Sequence, residues 1–357
     1  MDTVNLSNHP SLCELFKDDF YLGVALGNSQ IMGKEPYSLE VAAKHFNSIT
    51  PENDMKWESI HPEPDRYDFD AADRYVAFGE KHNMHIISHT LVWFYQTPDW
   101  VFQDEFGKPL SRDRLIQRMK DHIFTIMGRY KGRIHGWDVV NEAMVPGEKF
   151  RPCKWLDIIG EEYVSMAFEF ARQADPDAQL YYNDYFLWKP DMLKGVVRLV
   201  QNLQSKGLRV DGVGSQGHWS LEHPGFDQIE NFIAALGNLN LKTMITEMDI
   251  SVLPHVEDYM DKQISSLDPE LQKRLDPYTA SVPDSALQQQ AKRYVELFDL
   301  FRKHRNNIGR VTFWGLHDAQ SWRGNWPILG RTDYPLLFDH QCQPKPAFNA
   351  IANAFNS

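Results

Sequence analysis

One recurrence constrains this chain more than any other feature. Eight times over, a short apolar run is followed by a longer stretch with helical spacing. The runs begin near Tyr21, Ser48, Met84, Ile134, Gln179, Gly212, Leu241 and Gly309. Each reads as a buried strand covered on both faces, as in a parallel sheet. Helical spacing is clearest at Leu115, Ile116, Met119, Ile123, Ile126, Met127 and Tyr130. It returns at Leu287, Ala291, Tyr294, Phe298 and Phe301, with Asp284 as the expected N-cap. A third helix is expected from about Trp155 to Ala174, stopped by Asp175-Pro176. Strand and helix alternate without a Gly-rich dinucleotide fingerprint. The expected fold is therefore α/β, a closed (β/α)8 TIM barrel forming one domain over 1–357.

Composition removes several classes of function. The 357 residues carry 37 basic and 49 acidic side chains, a formal charge of −12, and no basic stripe for nucleic acid. No stretch approaches the roughly 18 apolar residues of a membrane span. The opening, Met1-Asp2-Thr3-Val4-Asn5-Leu6, lacks the basic and apolar regions of a secretory signal, so a cytoplasmic location is expected. Cys13, Cys153 and Cys342 are widely spaced and offer neither a disulfide framework nor a zinc site. Aromatic residues reach 13%, with 10 Trp, which fits a protein that stacks on something flat and uncharged.

In a barrel of this kind the chemistry sits where strands end. Seven of the runs close on polar clusters. They are Thr50-Pro51-Glu52-Asn53-Asp54-Met55-Lys56-Trp57, Ser88-His89-Thr90-Leu91-Val92-Trp93, and Trp137-Asp138-Val139-Val140-Asn141-Glu142. Tyr182-Asn183-Asp184-Tyr185, Ser215-Gln216-Gly217-His218-Trp219, Ile245-Thr246-Glu247-Met248-Asp249 and Thr312-Phe313-Trp314-Gly315 follow. A single acidic residue in such a place is usually a cap; seven clusters at one end converge on a cleft. Two glutamates on separate strands, Glu142 and Glu247, stand among amides, imidazoles and indoles. Glycoside hydrolysis needs two such carboxylates, one to protonate the leaving oxygen and one to attack or to activate water. A metal reading at His82, His85 and His89 is weak. The segment leaves helix near His85, and in a strand these spacings alternate faces.

These residues resemble glycoside hydrolase family 10, the endo-β-1,4-xylanases of the intracellular type, from about Leu12 to Phe355. WDVVNEA (137–143) resembles the family's acid/base segment, and ITEMDI (245–250) its nucleophile segment. ENDMKW, HTLVW, YNDY, the Gln216/His218 pair, FWG, SWR and PLLFD follow in family order. The resemblance implies that Glu142 is the general acid/base and Glu247 the nucleophile of a retaining mechanism. It implies that Asn141 bonds the 2-hydroxyl of the cleaved sugar. It further implies a glycone side built from Glu52, Asn53, Lys56, His89 and Trp93, a roof from Trp314 and Trp322 with Arg323 beside them, and Tyr185 on the aglycone side. His218, next to Gln216, is expected to hold Glu247, with Asp249 orienting its ring. The implied substrate is a xylo-oligosaccharide, with no cofactor, metal, nucleic-acid or membrane partner. A related β-1,4-glycanase acting on cellulose or mannan is the alternative within the class. A non-catalytic carbohydrate-binding barrel is the alternative outside it, although such a protein is expected to have lost one glutamate.

Three positions depart from the family pattern. Phe94 and then Tyr95 follow HTLVW where His is usual, Phe186 replaces Asn after YNDY, and Cys153 replaces a small Ser. The acidic, Pro-bearing stretch from about Val252 to Val282 reads as a functional loop with short helices.

Overall fold

The computed structural model describes residues 11–254 and 262–356. Eight parallel strands occur at the expected places: β1 (Tyr21–Leu26), β2 (Ser48–Pro51), β3 (His85–Val92), β4 (Gly136–Asn141), β5 (Gln179–Asp184), β6 (Gly212–Ser215), β7 (Lys242–Ser251) and β8 (Ile308–Phe313). Each pairs with its neighbour in sequence, and β8 pairs with both β7 and β1, which closes the barrel. The register at closure sets Gly23 against Thr312 and Val24 against Phe313.

Eight principal helices surround the strands: α1 (Pro36–His45), α2 (Asp70–Lys81), α3 (Arg112–Arg129), α4 (Glu162–Ala174), α5 (Pro190–Ser205), α6 (Phe226–Gly237), α7 (Asp284–Lys303) and α8 (Pro346–Phe355). Each turns an apolar stripe inward. In α3 the buried set includes Leu115, Met119, Ile123, Ile126 and Met127, the three-and-four spacing visible in the sequence. The main apolar core fills the shell between strands and helices and runs nearly the length of the chain.

Two boundaries differ from the sequence reading. The stretch from Trp155 to Ala174 is two helices, Lys154–Ile159 and α4, because Gly160 takes φ +92° and ends the first. Asp284 is the first residue of α7, and Pro283, in extended conformation, holds the N-cap position. Asp284 therefore acts through its charge at the positive end of the helix instead of through a capping bond.

The barrel interior is layered. Ile87, Tyr181 and Met244 form a small apolar cluster separate from the main core. One period of two further along the same strands come His89, Asn183 and Thr246, all buried and polar. Below, Arg310 donates through Nη1 to Thr50 Oγ1 and Thr312 Oγ1 at 3.2 and 2.9 Å. The apolar layer thus supports a polar platform at the carboxyl ends of the strands.

Residues 255–261 of the Val252–Val282 stretch lie outside the described residues, as does the opening Met1–Leu6. The described remainder includes a short helix, Pro269–Leu275, capped by Asp268, whose side chain accepts from Leu271 N. Leu275 packs with Ile328 in a second small core, with Ile264, Leu267 and Leu271 against it. Arg331 clamps this unit by donating to the carbonyls of Leu275 and Pro254, both at 2.9 Å. The stretch is therefore tied to the β8–α8 loop that carries Trp322 and Arg323.

Candidate active site

Glu247 lies within β7 and is buried. Its Oε1 accepts from Asn183 Nδ2 of β5 at 2.7 Å. Its Oε2 lies 3.2 Å from His218 Nε2. Burial raises the carboxyl, but the His218 bond, the charge of His89 and the Asn183 bond together hold it below its ordinary value. Glu247 is thus a buried carboxylate kept ionised by fixed donors.

His218 begins a three-residue strand, His218–Ser220, that pairs with β7 so that His218 lies opposite Asp249. Its Nδ1 stands 3.0 Å from Asp249 Oδ2. Burial lowers the imidazole, but Asp249 and Glu247 outweigh it and push the value up to about 9. The ring is an imidazolium at neutral pH and donates from both nitrogens. Asp249 also accepts from Arg323 Nε and Nη2 at 2.8 and 2.7 Å, and from Trp322 Nε1 at 2.8 Å. Against burial, Arg323 and His218 hold the Asp249 carboxyl down at about 2.

Glu142 follows β4 with φ +56°, a conformation uncommon and strained for a side chain of this kind. Its amide donates to the Asn183 carbonyl at 2.9 Å, which fixes the turn. Oε1 accepts from Gln216 Nε2 at 2.7 Å, and Oε2 from Trp93 Nε1 at 3.1 Å. Asn141 sits beside Glu142 and Asn183. Its amide meets Asn183 at 3.0 Å and Glu142 Oε1 at 3.4 Å; turned over, it accepts from Trp93 Nε1 at 3.3 Å. Asn183 links the neighbourhood of Glu142 directly to Glu247.

Glu52, Asn53 and Lys56 follow β2 as a single loop. Lys56 Nζ donates to Asn53 Oδ1 and Gln96 Oε1, both at 2.9 Å, and lies 4.8 Å from the centre of the Trp93 ring. Burial lowers the Lys56 ammonium, while Glu247, Glu52 and Glu142 counteract it. Burial raises the Glu52 carboxyl; Lys56 and Asn53 draw it back, and Asp54 and Glu247 add to the rise. One buried cation therefore faces three glutamates from three different strand ends.

His89 pairs with Asp138 through Nδ1 at 2.9 Å and meets Trp314 edge-on with centroids 5.3 Å apart. Trp322 lies tilted beside His218 at 4.5 Å. Tyr185 meets Phe186 edge-on at 4.7 Å, and its hydroxyl accepts from Arg151. His82 and His85 stay apart from this group. His82 caps α2, and His85 stacks on Tyr21 at 4.4 Å.

Four contributors were not singled out from the sequence. Asn183 lies inside YNDY, and strand periodicity places it one step from Tyr181 on the inward face. Gln96 lies three residues beyond HTLVW, and its contact with Lys56 arises from loop folding that no spacing encodes. Arg151 follows a small hairpin (Met144–Val145 with Lys149–Phe150) and donates through Nε to the Glu142 carbonyl at 2.8 Å. Asp184 is fully buried and bonded to the Tyr182 hydroxyl, and burial pushes its carboxyl up to about 8. Of the departures, Phe94 lies under the Arg151 guanidinium at 4.5 Å, and Phe186 takes φ +57° with Lys189 Nζ 4.1 Å from its ring.

The arrangement offers two carboxylates, each held by its own donors, in a cleft lined by indoles and hydroxyl-binding groups. The comparisons agree with this chemistry. The model of glycosyl hydrolase family 10 matches residues 11–354. An endo-1,4-beta-xylanase A of Xylanibacter ruminicola is 39% identical over 348 residues, 98% of this chain and 94% of its own length. A beta-1,4-xylanase of Dictyoglomus thermophilum is 42% identical, covering 95% of this chain and 89% of its own. The solved structure of a GH10 endoxylanase retrieved from a sugarcane soil metagenome superposes with a TM-score of 0.92 at 40% identity, over 96% of this chain and all of that one. Matched along nearly its whole length and to full-length relatives well above 30% identity, the chain belongs to glycosyl hydrolase family 10.

Proposed function

We propose that this protein is a retaining endo-1,4-β-xylanase in which Glu247 is the nucleophile and Glu142 the general acid/base. One observation carries the reading. Glu247 is buried yet held ionised by Asn183 and by the doubly bonded His218, which aims a carboxylate and keeps it ready to attack. In the first step a Glu247 oxygen bonds to the anomeric carbon, the glycosidic C–O bond breaks, and Glu142 gives its proton to the leaving oxygen. In the second step water gives a proton to Glu142 and attacks the same carbon, releasing Glu247. Asn141 is suited to the 2-hydroxyl, because it precedes Glu142 and its amide adjoins Asn183, which holds Glu247. Glu52, Asn53, Lys56, His89 and Trp93 supply one flank of the cleft, Trp314, Trp322 and Arg323 its roof, and Tyr185 the other flank.

The test is a pair of variants. Glu247→Ala abolishes turnover of every substrate. Glu142→Ala impairs natural oligosaccharides far more than aryl glycosides with an activated leaving group, and azide rescues it with a β-configured azide product. An α-configured product, or equal loss on both substrate types, overturns the retaining assignment.

The natural substrates in this reading are short xylo-oligosaccharides met in the cytoplasm by a single catalytic domain spanning 1–357. Two structural relatives support it. One is described as an intracellular xylanase from Thermoanaerobacterium saccharolyticum, with a TM-score of 0.83 and 36% identity. The other, a mutant with a TM-score of 0.86 and 38% identity, was solved in complex with xylotriose. Among the described residues no helix is long and apolar enough to cross a membrane. A higher kcat/KM on xylotetraose than on insoluble xylan is expected; the reverse preference overturns this part.

A further inference from the structure

Beside the cleft lies a hollow of about 540 Å³ between the loop after β3 and the segment Pro152–Lys154. Its volume falls within the roughly 300–1,000 Å³ of small-molecule sites. Three of its lining residues, Phe94, Tyr95 and Cys153, belong to two of the three places where the chain departs from its family pattern; the third, Phe186, lies elsewhere. Tyr95 is 63% exposed and stands edge-on to Trp93 with centroids 5.4 Å apart. A large ring left this open at the rim of a sugar-binding cleft offers a flat face without an occupant from the chain itself.

The hollow shares walls with the catalytic cleft. Gln96 lines it and also accepts from Lys56 Nζ at 2.9 Å. Thr97 Oγ1 donates to the Trp93 carbonyl at 2.8 Å, and the Trp93 indole N–H donates to Glu142. Trp93 is therefore the partition, with Glu142 on one side and Tyr95 on the other. A main chain positioned for cleavage must reach Glu142 and Glu247 and cannot run behind Trp93 at the same time. A branch leaving that chain can.

On these grounds, and resting on the xylanase reading, we propose that the hollow binds a neutral pentose branch carried by the xylan chain, stacked on Tyr95. Charge selects the class of branch. Lys154 is already tied to Asp99 at 2.5 Å, which leaves the exposed carboxylate of Glu58 as the unbalanced charge of the lining. A uronic-acid branch meets repulsion there, whereas a neutral sugar meets an aromatic face with Gln96 and Thr97 at its edge.

The experiment measures kcat/KM on xylotetraose, on the same chain bearing one α-L-arabinofuranosyl branch, and on one bearing a glucuronosyl branch. In Tyr95→Ala the ratio of arabinosylated to plain substrate falls about 5-fold or more through KM, on the scale of one lost apolar contact. The ratio of glucuronosylated to plain substrate does not fall. Tyr95→Phe, which keeps the flat face, retains the original arabinosyl ratio. An unchanged arabinosyl ratio in Tyr95→Ala, an equal fall for the glucuronosyl substrate, or a parent enzyme that rejects the arabinosylated chain overturns the branch site. A parent enzyme inactive on plain xylotetraose overturns the xylanase reading itself, and the branch site with it.

Discussion

Asn183 Nδ2 stands 2.7 Å from Glu247 Oε1, so the carboxylate of β7 is gripped by the amide near the end of β5. The grip is itself braced, since Asn183 Oδ1 accepts from Thr246 Oγ1 at 2.7 Å. The nucleophile proposed here is therefore positioned by inward-facing residues of the barrel wall, and small changes in that wall reach it.

Two glycines separate wall from site. A Cβ on Gly214 of β6 would meet Asn183 Oδ1 at 2.2 Å, and one on Gly136 of β4 would meet the Tyr181 ring at 2.5 Å. Overpacking of this kind costs about 1–3 kcal/mol. Gly214→Ala is expected to lose that stability and also to lower kcat by about 100-fold, because a displacement near 1 Å at a reacting group costs that much. Gly136→Ala presses on the apolar layer and is expected to lose stability with a much smaller effect on kcat. Urea denaturation beside steady-state kinetics separates them; equal kcat losses would contradict the layering.

Asp249 does more than orient the His218 ring, the role the sequence indicated. It is fully buried and accepts from His218, Arg323 and Trp322. Asp249→Asn takes from Arg323 its hydrogen-bonded carboxylate and leaves His218 with Glu247 alone, and breaking one partner of a buried pair costs about 3–5 kcal/mol. The variant is expected to lose a large part of that stability and to lower kcat with little change in KM. Full activity in the variant would show that His218 holds Glu247 without help.

The same cluster sets a pH dependence. His218 rises from its ordinary 6.5 to about 9, so its stabilising contribution is complete below about pH 6.5 and is lost as pH climbs through 9. Asp249 falls from 3.8 to about 2, so its contribution is complete above about pH 4 and is lost as pH drops through 2. Tm is expected to decline between about pH 7 and 10, and His218→Gln to flatten that decline. Identical slopes in parent and variant would assign the alkaline loss to other groups.

The eightfold alternation of apolar runs and helical stripes was sufficient to specify a closed barrel and to locate each strand start within about two residues. Both signals are local: a parallel strand buried on two faces and a helix with one wet face have different periods in the chain itself. The strand-end rule then brings Glu142, Glu247 and their polar neighbours together from the sequence alone, because in this topology every strand finishes at the same rim. Helix ends were less legible. Gly160 splits one expected helix through a positive φ, and Pro283 takes the N-cap position expected for Asp284.

Contacts between residues far apart in the chain were decided only by the tertiary structure. Asn183 and Glu247 are 64 positions apart, Gln216 and Glu142 74, and Arg323 and Asp249 74. Which side chain answers which carboxylate depends on loop paths and on the stagger between strands, neither of which leaves a period in the sequence. The residue types and their order thus determined the fold and the chemistry available. Closure of the barrel decided the hydrogen bonds, because only there do donors from separate strands meet carboxylates that burial has stripped of water.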